Sequence, residues 1–470
     1  MRELSKTSGR VPQRNERQQP SNIPRMVYAD SAGRIYDHSS WQIVGNSGRV
    51  HCRIPIEAFI PLPEGSTLFT MPGRRPVGFD TVSEKFCAGS GQAVSAFIAP
   101  GYTRTYLPGA IRDAESTAPV LPLFAYTAIG FIDNQFWVPA VRIDRDERCE
   151  PWMYQDDTGL AVKVRRRLSE QPHNRLLQQL ARCALEYHCF AAKNTFYRRW
   201  ELPLPTSPVC NARCLGCISL QPAESCPSSQ ERIPFVPTPD EIVELAADHL
   251  QNAPEPIVSF GQGCEGEPLL QADVLAQAIR KMRQITARGT INLNTNGFCP
   301  KRIQQLCQAG LDSVRFTLPS ANPNIYQQYI RPIGFSIDSV VAAMAAARSA
   351  GLWISLNLLV FPGITDTGRE VDALVHLYNQ VQFNMIQMRN LNIDPDVYLD
   401  HIGTQPGSGI GIPQFIEHLR SRLPMIRFGY FNPLKESFTD QSIRIKAPPR
   451  RRQDKIQVRS GSRGSDGRGF

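Results

Sequence analysis

Residues 201–217 read ELPLPTSPVCNARCLGC, a short run with strand character leading at once into cysteines at 210, 214 and 217. The rhythm of the chain beyond Cys217 decides the fold. Strand-like stretches recur at 256–260, 290–295, 313–318, 353–361 and 384–391. Between them lie stretches with apolar residues at helical spacing, over 238–251, 271–287, 300–309, 336–350 and 367–381. Strand and helix in alternation imply right-handed βαβ crossovers and a parallel sheet. A closed eight-unit barrel takes about 250 residues, so six units suit the length of 201–400. The expected fold is therefore α/β, a partial (β/α)6 barrel. Its first strand delivers the cysteines to the C-terminal mouth, where such barrels assemble active sites.

Upstream the texture differs. Residues 26–165 alternate short β-rich runs with turn residues, and FIDNQFWVPAV (131–141) sets Asp-Asn between two apolar runs, a hairpin signal. This predicts an N-terminal β-rich domain. Residues 166–200 keep apolar residues at helical spacing and are expected to form a connecting helix. Residues 401–443 form a C-terminal extension with one more helix and a strand-like MIRFGYF. At 470 residues the chain is long for one domain, at about 100 to 200 residues each.

The net charge of +9 is concentrated at the ends: residues 1–25 carry +4 and residues 444–470 carry +7, so the remainder is slightly acidic. Both ends are rich in Arg, Pro, Gly and Ser and read as disordered basic tails. Solvated tails are the simpler reading; the other is a grip on RNA or another polyanion, which salt would weaken steeply. Hydrophobic content is 41% and charged content 20%, with no apolar run near the roughly 18 residues that span a bilayer. No apolar stretch lies behind the basic N-terminal residues, so neither a signal peptide nor an anchor is expected, and the expected compartment is the cytoplasm. Twelve cysteines in a chain this long are too dilute for a disulfide scaffold. Only 210–217 has ligand spacing.

A structural zinc site normally closes a tetrahedron with four ligands in two pairs, and no second C-x-x-C occurs. Zinc would need Cys226 as its fourth ligand. A cubane iron–sulfur cluster normally takes four cysteines, so three leave one iron open to something small and chelating. C-x3-C-x2-C after the first strand of a partial barrel resembles the signature of the radical SAM superfamily. That resemblance implies a 4Fe-4S cluster held by Cys210, Cys214 and Cys217, with S-adenosylmethionine chelating the open iron. It implies reductive cleavage to methionine and a 5′-deoxyadenosyl radical, which takes hydrogen from a substrate. It also implies an electron donor such as flavodoxin or ferredoxin. Gly216 stands where family members usually carry an aromatic.

Other elements extend the likeness. In SFGQGCEGEPLL (259–270), Gly266, Glu267 and Pro268 match the family's G-G-E-P element, with Glu265 in place of the first glycine. Small residues there allow close backbone approach, and Glu267 would orient the methionine amino group. Thr295-Asn296-Gly297 is similar to a turn in the third βα loop, placing Asn296 at the site. On the fourth strand Arg315 and Thr317 alternate onto one face; Thr317 and Ser320 are candidates for ribose or carboxylate contacts. Asn357 and Arg389, on the fifth and sixth strands, would face the barrel, and Arg389 would pair either with the methionine carboxylate or with an internal acid. No cysteine occurs after Cys307, so the C-terminal segment has no thiolates for a second cluster. The expected function is a radical SAM enzyme of unknown substrate. The alternative is a zinc- or cluster-bearing RNA-binding module without radical chemistry.

Overall fold

The computed structural model describes residues 19–113, 118–223, 225–403 and 409–438. Among the described residues, seven strands from Glu201 onward pair in chain order, every pair parallel. They are β1 (Glu201–Pro203), β2 (Ile257–Phe260), β3 (Thr290–Thr295), β4 (Ser313–Leu318), β5 (Trp353–Val360), β6 (Met385–Asn390) and β7 (Arg427–Gly429). The crossover helices are α1 (Pro239–Asn252), α2 (Ala272–Ile285), α3 (Pro300–Ala309), α4 (Pro323–Ile330), α5 (Ile337–Ser349), α6 (Gly368–Val381), α7 (Pro395–Ile402) and α8 (Ile412–Arg422). The expected open (β/α)6 half-barrel is present, and the C-terminal extension lengthens it. Helix α8 returns the chain so that Phe428 pairs beside Ile386, making a seventh parallel strand.

Local chemistry starts and stops these helices where the sequence places them. Helix α1 opens on a capping box in which Thr238 and Glu241 satisfy each other's amides, with Pro239 in the first turn. Helix α3 ends at Gly310, whose φ of +108° few other residues tolerate.

Alternation along the strands separates two faces. Val258, Phe260, Ile291, Leu293, Val314, Phe316, Ile354, Leu356, Ile386 and Met388 point outward and are fully buried in the main core. Each contributes about 1.5–3 kcal/mol by leaving water. The register puts Thr317 beside Asn357 and Asn357 beside Gln387, so the polar residues share the inner face.

Among the described residues, thirteen strands between Arg25 and Arg142 pair antiparallel, giving the β-rich N-terminal part. Its expected hairpin is there: Ile132 pairs with Gln135 across Asp133 and Asn134, both with positive φ. This sheet packs against the half-barrel at the ends of β5 and β6. Arg104, fully buried, donates to the carbonyls of Tyr126 and Leu391 at 3.0 and 2.8 Å, and its amide donates to Asn390 Oδ1 at 3.0 Å. Arg74 and Asp394 add a buried ion pair at 2.7 Å.

One expectation is corrected. Residues 166–200 are not one connecting helix but parts of three, Leu160–Glu170, Arg175–Leu185 and Phe190–Tyr197. Pro172 cannot donate in a helix interior, and Asn174 caps a fresh start by accepting from the Leu177 amide. His188, with φ of +51°, makes the second break. The tail expected over 1–25 lies outside the described residues as far as position 18, and Arg25 already begins the first strand. The tail at 444–470 lies wholly outside them. Residues 1–435 form one compact unit, and of the unit from 436 onward only 436–438 are described.

Candidate functional site

The loop after β1 carries all three clustered cysteines, and none of them is in a disulfide. Its main chain is held on two sides. Arg213 and Leu215 amides donate to carbonyls at the end of α4, those of Ile330 and Tyr329, at 3.2 and 3.0 Å. On the other side the Gly266 and Glu267 amides donate to Ser207 and Val209 carbonyls at 2.7 and 2.8 Å. Gly266 permits that approach, since a Cβ there would stand 2.0 Å from the Val209 oxygen.

Two buried glutamates lace the mouth together. Glu265 accepts from five donors: the Thr206 amide and hydroxyl and the amides of Ser207, Gly261 and Gln262. It thereby ties the loop after β1 to the loop after β2. Glu267 accepts from the Leu269 and Asn296 amides at 2.9 and 2.8 Å and from the Thr295 hydroxyl, tying the loop after β2 to the end of β3. Burial raises both carboxyls to about 7, opposed by these same hydrogen bonds. Asn296 completes the ring through its side chain, donating to Asn211 Oδ1 on the cysteine loop at 2.8 Å.

Burial, and next the Glu267 carboxylate, pushes the Cys210 thiol up to about 11. The Cys214 thiol is pushed well above its ordinary value by burial and by its neighbours Cys217 and Cys210. Among the described residues no three His, Cys, Asp or Glu side chains converge on a single metal ion. Cys226, which a zinc site would need, is buried near Tyr126 of the N-terminal sheet. A cubane, by contrast, offers separate irons to separate thiolates. The donor set fits such a cluster, and the Arg232 guanidinium stands 3.6 Å from Cys217 Sγ.

The sequence-chosen residues divide on inspection. Gly266, Glu267, Pro268 and Asn296 lie together beside the cysteines. Thr317, Asn357 and Arg389 occupy the inner face and stay partly exposed to the lumen. Asn357 Oδ1 and Arg389 Nε are buried without a hydrogen-bond partner among the described residues, and Arg389 lies over the Tyr430 ring at 3.6 Å. Arg389 makes no internal ion pair among the described residues. Ser320 is engaged elsewhere: its hydroxyl donates to Glu370, which also accepts the Ala321 amide at 2.6 Å.

Sequence reasoning did not select Glu265, Arg315 or Arg232 as site residues. Arg315 donates to Gln387 Oε1 at 3.0 Å, and burial, then the like charge of Arg389, lowers it to about 10. Strand alternation pointed it inward, which was the available signal. Gly216 has a steric reason, because a Cβ there would meet the Tyr329 hydroxyl at 2.7 Å. A ring from α4 thus fills the space beside the third cysteine.

Residues 204–375 match the family model described as the radical SAM superfamily. That stretch, the half-barrel, falls in the radical SAM superfamily. Members of this superfamily use a 4Fe-4S cluster and S-adenosylmethionine, and they need a substrate and a reductant. The chain is 28% identical over 193 residues to a GTP 3′,8-cyclase from Limosilactobacillus fermentum, covering 40% of this chain and 52% of that one. It is 32% identical over 143 residues to a GTP 3′,8-cyclase from Petrotoga mobilis, covering 30% and 38%. It thus spans about half the length or less of these curated relatives. Among solved structures, a radical SAM methyltransferase from Sphaerobacter thermophilus aligns at a TM-score of 0.35 and 14% identity, over 50% of this chain and 67% of that one. Among the described residues no helix is long and apolar enough to cross a membrane.

Proposed function

We propose that this chain is a radical SAM enzyme in which Cys210, Cys214 and Cys217 ligate a 4Fe-4S cluster whose fourth iron is left to S-adenosylmethionine. The observation that carries this reading is the set of three free thiols pinned at the barrel mouth by Gly266, Glu267 and the end of α4. When bound, the cluster supplies the electron for reductive cleavage of the sulfonium, yielding a 5′-deoxyadenosyl radical for hydrogen abstraction.

The chain's own residues bind and orient. A carboxylate accepts at about four lone-pair sites, and Glu267 uses three, leaving capacity for the methionine ammonium. Gly266 and Pro268 shape the backbone edge beside it. Arg389, with no acid paired to it among the described residues, offers its guanidinium to the methionine carboxylate, and Asn296, Thr317 and Asn357 offer polar contacts from the mouth and inner face. Ser320 acts indirectly, holding the loop after β4 through Glu370. The N-terminal sheet, packed on the ends of β5 and β6, shields that side of the lumen from water and so protects a carbon radical from quenching. We place the enzyme in the cytoplasm with flavodoxin or ferredoxin as reductant.

Changing any of the three cysteines to Ala is expected to remove the cluster's broad visible absorption and abolish 5′-deoxyadenosine formation. GTP, on which the named relatives act, is the first substrate to add to that assay. A variant that keeps full 5′-deoxyadenosine formation defeats the assignment.

A further inference from the structure

Arg232 belongs to none of the family's sequence motifs. It sits on the stretch between Cys217 and α1, which has no helix or strand among its described residues and folds back over the cysteine loop. Gln221 Nε2 donates to the Cys217 and Leu215 carbonyls at 2.7 and 3.1 Å, and the Gln230 amide donates to the Ile218 carbonyl at 3.3 Å. The Ile233 amide, next to Arg232, donates to the Cys264 carbonyl at 2.8 Å, anchoring this stretch to the loop after β2.

Held in this way, the Arg232 guanidinium reaches two atoms. Its Nε donates to Ser219 Oγ at 3.2 Å and its Nη2 lies 3.6 Å from Cys217 Sγ. Ser219 Oγ is itself 3.7 Å from the same sulfur. Arg232 forms no ion pair among the described residues, so no carboxylate there neutralises it. A thiol sulfur is a weak acceptor, whereas a thiolate is an anion to which a guanidinium donates with charge assistance.

We propose that Arg232 is a positioning residue that raises the reduction potential of the cluster by donating to its Cys217 ligand. This inference rests on the assignment of the three cysteines as cluster ligands. Reduction adds one electron, supplied by a low-potential one-electron donor, and makes the cluster more negative without breaking a bond to protein. A fixed positive charge that also withdraws density from a ligand sulfur stabilises the reduced form more than the oxidised one.

The test compares anaerobically reconstituted full-length wild type with R232M, R232Q and R232K. The cluster's midpoint is read by redox titration under electron paramagnetic resonance, with iron, sulfide and far-UV circular dichroism as controls. R232M, lacking charge and donor, is expected to lower the reduced-to-oxidised ratio at fixed potential about tenfold, or about 59 mV for a one-electron couple. R232Q, which keeps a neutral donor, and R232K, which keeps the charge, are expected to fall between. R232M with full iron and an unshifted midpoint overturns the inference and leaves the cluster reading standing. Wild type that takes up no iron and sulfide overturns both. Should R232M fail to assemble a cluster, R232Q and R232K decide: both below wild type supports the role, and both equal to wild type overturns it.

Discussion

Glu267 accepts the Asn296 amide at 2.8 Å, and Asn296 in turn reaches the cysteine loop through Asn211. One carboxylate therefore couples the G-E-P edge to the turn after β3 and, through that turn, to the loop of the thiols.

E267Q places an amide NH2 among donors that need an acceptor. At least one of the three donors is then left unpaired, which costs about 1–3 kcal/mol for a buried group. The expected outcome is a lower denaturation midpoint together with weaker S-adenosylmethionine binding by calorimetry on reconstituted protein. If both stay at wild-type values, Glu267 has neither role.

Gly266→Ala tests the close approach of two main chains. The new Cβ would stand 2.0 Å from the Val209 oxygen and 3.1 Å from the Cys210 nitrogen, so the backbone next to the first cysteine must move. Less iron per chain is expected after reconstitution, with the far-UV spectrum retained. Gly368→Ala is the matched control, because a Cβ there meets nothing within 4 Å. Equal iron in the two variants removes the steric argument.

The half-barrel was legible because its signal is redundant. Most strands carry regularly placed apolar residues, helices such as α1, α5 and α6 open on a side-chain cap, and strand and helix alternate six times before the extension adds a seventh strand. The cysteine spacing was legible because the ligands are close in sequence. Partners made by folding stayed hidden. Glu265 takes its donors from positions up to 59 residues away, and nothing in CEGEP indicates that it clamps Thr206. Arg232 reaches Cys217 across an irregular stretch with no period to read. The connecting segment was misread because its apolar spacing continues through Pro172 and His188, where the chain bends while the pattern does not.

Arg74 and Asp394 form a buried pair across the contact between the N-terminal sheet and the half-barrel, with side chains 2% and 1% exposed. Asp394 also accepts the Leu121 amide at 2.9 Å. Removing one partner leaves the other charge buried, so R74M is expected to lose about 3–5 kcal/mol of stability. The double variant R74M/D394L is expected to lose less than the two single losses combined, because neither charge is stranded. Denaturant titration of the four proteins gives the coupling, and simple additivity would show the pair to be inert.

Glu370 offers a pH test away from the cysteines. It accepts the Ser320 hydroxyl and the Ala321 amide, and burial raises its carboxyl to about 7 from an ordinary 4.5. A raised folded-state value means that the folded protein prefers the protonated form. The associated stability is complete below pH 4.5 and is lost as pH rises through about 7. At about 1.36 kcal/mol per pKa unit, this loss is on the order of 3 kcal/mol. The amide of E370Q does not titrate, so the wild-type melting temperature relative to E370Q is expected to fall between pH 5 and pH 8. A wild-type advantage that instead grows with pH would mean that the two donors outweigh burial and hold Glu370 ionised throughout.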